Sequence, residues 1–138
     1  MFRKLGLSNE MLEVIASAGF TIPSDIQEKG IPLVLAGKDV LGSSATGSGK
    51  TLAFGAGIIE KIHSGKGVQA LILTPTRELA EQVGTTLQKF ANHKRLTICE
   101  IYGGVAIGPQ KSAIRNADIV VGTPGRILDH LRYDSLNL

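Results

Sequence analysis

The sequence predicts an α/β fold in which a mostly parallel sheet is covered by helices. Three observations carry this expectation. After Gly37, apolar segments of strand length alternate four times with longer stretches of helical periodicity, and parallel strands need such crossovers. Glycine is unusually frequent, with 17 residues against four Phe, two Tyr and no Trp, so many backbone sites call for its conformational freedom. Finally, 138 residues that are 43% hydrophobic and 20% charged make one well-buried domain and exclude a disordered polymer.

The elements follow in order. Ser8 reads as an N-cap, and Met11, Leu12, Val14, Ile15 and Ala18 recur at helical spacing until Gly19. A second helix starts near Ser24 or Asp25 and carries Ile26, Ile31, Leu33 and Val34, with Pro32 expected to kink or divide it. Residues 39–43 read as the first strand, and a Gly/Ser loop leads from it into an apolar helix near Lys50. Strands at 70–73, 97–102 and 118–121 then precede helices at about 76–91, 107–116 and 125–132. The stripe Leu79, Val83 and Leu87 reads as core. Ligands of open parallel sheets bind at the carboxyl ends of the strands, which is where the unusual residues of this chain fall.

Composition narrows the function classes. Fifteen Lys and Arg against 12 Asp and Glu give a net charge of +3, compatible with a nucleic-acid or nucleotide partner without requiring one. The single cysteine, Cys99, excludes an internal disulfide framework and reads as a buried free thiol, so a cytoplasmic location is expected. Cys99 has no base partner and no nucleophilic role. No apolar run approaches the roughly 20 residues of a membrane span, and no signal-peptide core follows the basic start. His63, His93 and His130 stand apart from Cys or carboxylates at ligand spacing and read as solvated, so no structural zinc is expected.

Ser44-Ala45-Thr46-Gly47-Ser48-Gly49-Lys50-Thr51 between strand and helix reads as a phosphate cradle. Glycines let successive N–H groups point inward, the helix start adds its positive end, Lys50 reaches the β- and γ-phosphates, and Thr51 offers a hydroxyl to Mg²⁺. The strict pattern has a glycine where Ser44 stands.

With that loop in place, the chain resembles the amino-terminal RecA-like domain of DEAD-box ATP-dependent RNA helicases over nearly its whole length. Residues 19–27 look like the family's Q motif, with Ser24 in place of the commoner threonine and Phe2 as the isolated upstream aromatic. Residues 44–51 look like motif I, 75–80 like motif Ia, Gly103-Gly104 like the glycine doublet, and 123–126 like motif Ib. The resemblance implies a P-loop RecA-like three-layer sandwich, and residues 1–138 form part of the first such domain, incomplete at the carboxyl end. The acidic Asp-Glu-Ala-Asp tetrad, the Ser-Ala-Thr motif and the second RecA-like domain would lie beyond Leu138, so a fragment of a larger helicase is expected.

Roles follow from the resemblance. Gln27 carries an acceptor and a donor that suit the N7 and N6 edge of adenine, and Phe20 offers a face for the base. Pro75, Thr76, Arg77, Gly103, Gly104, Thr123, Pro124, Gly125 and Arg126 are assigned to the RNA backbone, with sequence-independent, salt-sensitive contacts. Outside the motifs, Arg77 would pair with Glu78 or Glu81, Arg126 with Asp129, and Phe2 would be an ordinary core aromatic. The resemblance implies ATP and Mg²⁺ as cofactors, RNA and a second RecA-like domain as partners, and no membrane or obligate oligomer. The parent would unwind short duplexes locally, while these 138 residues alone would be inactive. A non-catalytic nucleotide- or RNA-binding module is the alternative.

Overall fold

Helices build the amino-terminal part of the chain and a small sheet the rest, in a computed structural model that describes all 138 residues. Two units result, Met1–Ile62 and His63–Leu138.

In the first unit a 3₁₀ turn at Phe2–Leu5 precedes α1 (Asn9–Ser17), α2 (Asp25–Leu35) and α3 (Lys50–Lys61). Ser8 caps α1 as expected: its Oγ accepts from the Met11 amide at 3.2 Å and donates to Glu60 Oε1 at 2.7 Å, tying α1 to the end of α3. Phe2, Met11, Ile15, Ile31, Leu52 and Ile59 are buried, so Phe2 is a core aromatic. Helices α2 and α3 approach closely because Gly57 lacks a side chain; a Cβ there would lie 2.5 Å from Val34 Cγ1.

Two expectations fail here. Pro32 lies inside an undivided α2. It is exposed, as is Glu28, whose carbonyl it leaves without the usual helical donor, so the lost bond falls on the solvent side of the helix. Residues 39–43 form no strand, and Leu41 is fully exposed. A β segment holds only through a ladder to a neighbour, and no strand pairs with this one. The apolar pattern is present without the partner that would use it.

The second unit contains β1 (Ala70–Leu73), α4 (Arg77–Ala91), β2 (Ile98–Ile101), α5 (Ile107–Arg115), β3 (Ile119–Gly122) and α6 (Pro124–Arg132). These match the predicted elements within a residue or two. The sheet order is β1-β3-β2, with both pairings parallel. Strand β3 is central and wholly buried, whereas β1, at an edge, is only partly covered. Asp118 fixes the entry to β3: its carboxylate accepts from Gly65 N at 2.9 Å and Thr97 N at 2.8 Å. Cys99, Ile101, Ile114, Val120, Ile127 and Leu136 form the core. Burial, helped by the charge of Glu100, pushes the Cys99 thiol up to about 11, which leaves it inert.

In α4 the stripe is interrupted, because Val83 and Leu87 are buried but Leu79 is 38% exposed. Leu79 lies in the first turn of α4, where its amide is capped by Thr76. His130, expected in solvent, is fully buried. Helix periodicity places it beside the core residue Ile127, three positions earlier. Two hydrogen bonds, described below, make its burial affordable.

Candidate functional site

The sequence-predicted residues fall into two groups, one in each unit. The first is built on the loop between α2 and α3. Gly47 and Gly49 both have φ of +82°, a left-handed turn that reverses the chain into α3. Ser48 N donates to Ala45 O at 3.2 Å, and the Ser44 and Ser48 hydroxyls meet at 2.6 Å. Lys50 Nζ donates to the Ser44 carbonyl at 2.9 Å, spanning the loop while remaining exposed. Thr46 is exposed and Thr51 half-buried in the first turn of α3.

This loop is strapped to the start of α2. Ser24 Oγ donates to Ser48 O at 2.6 Å, and Gln27 Nε2 donates to Gly49 O at 3.2 Å. Gln27 Oε1 accepts from Ser24 N at 3.0 Å, one half of a capping box. The side chain is only 2% exposed, so Gln27 is a buried strut. Its amide still has one hydrogen and one lone pair unused by these bonds, the set an adenine edge requires. A Cβ on Gly49 would collide with Gln27 Nε2, which is why glycine is needed there as well as for its φ. Phe20 is 37% exposed, leaving part of its ring accessible.

The residues present fit a nucleotide phosphate: a glycine-shaped loop, an exposed ammonium and a helix start converge within residues 44–51. For Mg²⁺ the protein offers the Thr51 hydroxyl, and no group of three or more His, Cys, Asp or Glu is clustered to hold a metal.

The second group lies at the carboxyl end of the sheet. Leu73, Gly122 and Ile101 are in register, so the loops that follow them emerge side by side. This brings together Pro75, Thr76 and Arg77, then Gly103 and Gly104, then Thr123, Pro124, Gly125 and Arg126. Thr76 caps α4 by accepting from Leu79 N at 3.2 Å, and Gly104 has φ of +82°. Arg77 pairs with Glu81 at 3.2 Å and lies 4.5 Å from the Tyr102 ring centre. Arg126 pairs with Asp129 at 3.5 Å and donates from Nη1 to Val105 O and Gln110 Oε1, each at 3.0 Å. Both arginines therefore hold the local partners read from sequence.

Sequence reasoning missed Gln110, His130 and Ser135. Gln110 Nε2 donates to Tyr102 O at 2.8 Å, and His130 meets Gln110 Oε1 at 2.9 Å and Ser135 Oγ at 2.7 Å. No local pattern announces them, since Gln110 and His130 are 20 positions apart.

Comparison with known proteins agrees with this geometry. The DEAD/DEAH box helicase family model matches residues 24–138. The chain is 49% identical over 138 residues to the "Probable ATP-dependent RNA helicase MJ0669" of Methanocaldococcus jannaschii, covering 99% of this chain and 38% of that protein. It is 48% identical over 139 residues to "DEAD-box ATP-dependent RNA helicase CshA" of Bacillus cereus, covering 99% and 26%. Among solved structures, a DEAD box protein from Methanococcus jannaschii superposes with a TM-score of 0.95 at 49% identity, covering 99% of this chain and 38% of that one. Dbp5 of S. cerevisiae bound to RNA and ADP BeF3 gives 0.89 at 33%, covering 99% and 35%. Parallel strands with ligand-type loops and these neighbours define a RecA-like α/β domain. The chain belongs to the DEAD/DEAH box helicase family. It spans between a quarter and two-fifths of the length of these relatives.

Proposed function

We propose that this chain is the nucleotide-binding part, and half of the RNA-binding part, of an ATP-dependent RNA helicase that separates short duplexes locally. The observation that carries the reading is the loop at 44–51, closed by Lys50 and strapped to the start of α2 by Ser24 and Gln27. An entering phosphate would take the Lys50 ammonium from the Ser44 carbonyl, exchanging a neutral acceptor for a charged one. Thr51 would supply one oxygen to Mg²⁺. Gln27 and Phe20 would select adenine from the Q motif at 19–27.

The loops of motif Ia, the glycine doublet and motif Ib present amides, hydroxyls and guanidinium groups at one end of the sheet, which suits a phosphodiester backbone. Support comes from the relatives' names and from the yeast neighbour solved with RNA and a nucleotide. A second RecA-like domain would complete both sites, with no obligate oligomer. The single buried thiol suits a cytoplasmic location.

The test is calorimetric titration of ADP·Mg²⁺ and GDP·Mg²⁺ into the wild-type chain and Lys50→Ala. ADP binding that exceeds GDP binding, and is weakened by about tenfold or more in the variant, is expected from the loss of a charge-assisted bond. Equal affinity for both nucleotides, unchanged by Lys50→Ala, would sink the proposal.

A further inference from the structure

The second unit contains a polar chain that the nucleotide and RNA reading does not use. It begins at a main-chain acceptor. Tyr102 O can only accept, so the Gln110 side chain must turn its Nε2 toward it, at 2.8 Å. That orientation sends Gln110 Oε1 to the opposite side, where Arg126 Nη1 donates to it at 3.0 Å. The same oxygen faces His130 Nε2 at 2.9 Å, so this nitrogen must carry a hydrogen. Neutral His130 then has Nδ1 as an acceptor, and the Ser135 hydroxyl donates to it at 2.7 Å, with the His130 carbonyl as a second, longer acceptor of the same hydrogen at 3.2 Å.

One orientation of the Gln110 amide satisfies its neighbours, and Gln110 and His130 are both buried. Flipping the Gln110 amide would set oxygen against carbonyl oxygen and NH₂ against guanidinium. Arg126 uses the same Nη1 to reach Val105 O at 3.0 Å. The chain thus grips the loop that carries Gly103 and Gly104 at both ends, through Tyr102 O and Val105 O. The glycines themselves are exposed, and a Cβ on either would meet nothing within 4 Å. Their own packing does not hold them, so the grip on their flanks does.

We propose that Gln110, Arg126 and His130 are positioning residues that brace the glycine doublet for the nucleic-acid backbone, and that Arg126 acts through this brace instead of touching phosphate itself. This rests on the RNA reading above and refines the part assigned to Arg126.

Salt dependence separates the two roles. Binding of a fluorescein-labelled single-stranded oligouridylate to the 138-residue chain would be followed by anisotropy from roughly 50 to 200 mM salt. The samples are wild type, Arg126→Gln, Arg126→Lys, Gln110→Leu and the double variant Arg126→Gln/Gln110→Leu, each first shown to be folded by circular dichroism. Expected are affinity losses of about fivefold in each single variant, no further loss in the double variant, and no rescue by lysine. The slope of log K against log salt should match wild type throughout.

A slope lower by about 0.7 in Arg126→Gln, restored by Arg126→Lys, would make Arg126 a phosphate contact and overturn the proposal. So would wild-type affinity in Gln110→Leu. Hydrogen exchange of the free proteins gives a readout independent of RNA. Amides of residues 103–106 should exchange at least about fivefold faster in Gln110→Leu and in Arg126→Gln; unchanged exchange overturns the brace. If wild type binds no RNA, the RNA reading fails and this exchange measurement alone decides the brace.

Discussion

Replacing Gln27 with alanine tests the link between α2 and the phosphate loop most directly. The side chain makes two neutral hydrogen bonds, to Ser24 N at 3.0 Å and Gly49 O at 3.2 Å, from a site that is 2% exposed. Each is worth about 1 kcal/mol net. The truncation also removes one buried methylene, about 0.8 kcal/mol. Alanine's better helix propensity returns a few tenths. Ser24 and Gly49 are only half-buried, so water can reach the two orphaned groups and no larger penalty accrues. The expected loss is about 2 kcal/mol, or roughly 10 °C in the melting of a unit of this size.

Urea unfolding followed by circular dichroism measures it, with Gln27→Glu as a companion. Glutamate keeps the acceptor for Ser24 N but sets a carboxylate against Gly49 O. Its folded pKa should therefore rise above the ordinary value of about 4.3, and its deficit at neutral pH should shrink as the pH falls through that raised value. A Gln27→Ala protein within about 0.5 kcal/mol of wild type, or a Gln27→Glu deficit that ignores pH, would refute the strut.

Two further outcomes concern the second unit. Gly122→Ala should cost about 3 kcal/mol in urea unfolding, because the new Cβ would lie 2.6 Å from the Ile101 carbonyl and 2.7 Å from Ile127 Cδ1, and the central sheet cannot move aside; a loss below about 1 kcal/mol would contradict that packing. Burial, with Arg126 and Lys111 nearby and Asp129 opposing them, holds His130 below its ordinary 6.5. The unfolded chain then binds the extra proton, so this contribution is fully present above pH 6.5 and is lost as the pH falls from there through the lower folded value. Thermal melts between about pH 8 and pH 5 should show a midpoint that is flat above that point and declines below it; a midpoint unchanged across the range would contradict the buried neutral imidazole.

Local chemistry carried most of the fold. Ser8 announced a helix start because an N-cap needs only a hydroxyl and an amide three residues on, both within one turn of chain. The segments at 70–73 and 118–121 read as strands because Ala70–Leu73 and Ile119–Val121 are apolar in succession, the pattern of strands in a parallel sheet. The same signal misled at 39–43, where the pattern was right but a strand also requires a neighbour, which periodicity does not report. Pro32 misled in the opposite direction, since it and Glu28 one turn back are both exposed and the lost bond falls on the solvent side of the helix.

The phosphate loop and the three loops at the sheet's end were legible as motifs, because glycine, hydroxyl and basic residues at fixed spacing act through the backbone that carries them. What each side chain holds was decided only by the tertiary structure. Gln27 became a strut because folding set Gly49 beside it, and Arg126 turned inward because α5 placed Gln110 within its reach. His130 lost its water because α6 turned it toward Gln110 and Ser135. Hydrogen-bond partners for a buried polar group come from wherever the chain passes, so their identity is a property of packing across many residues.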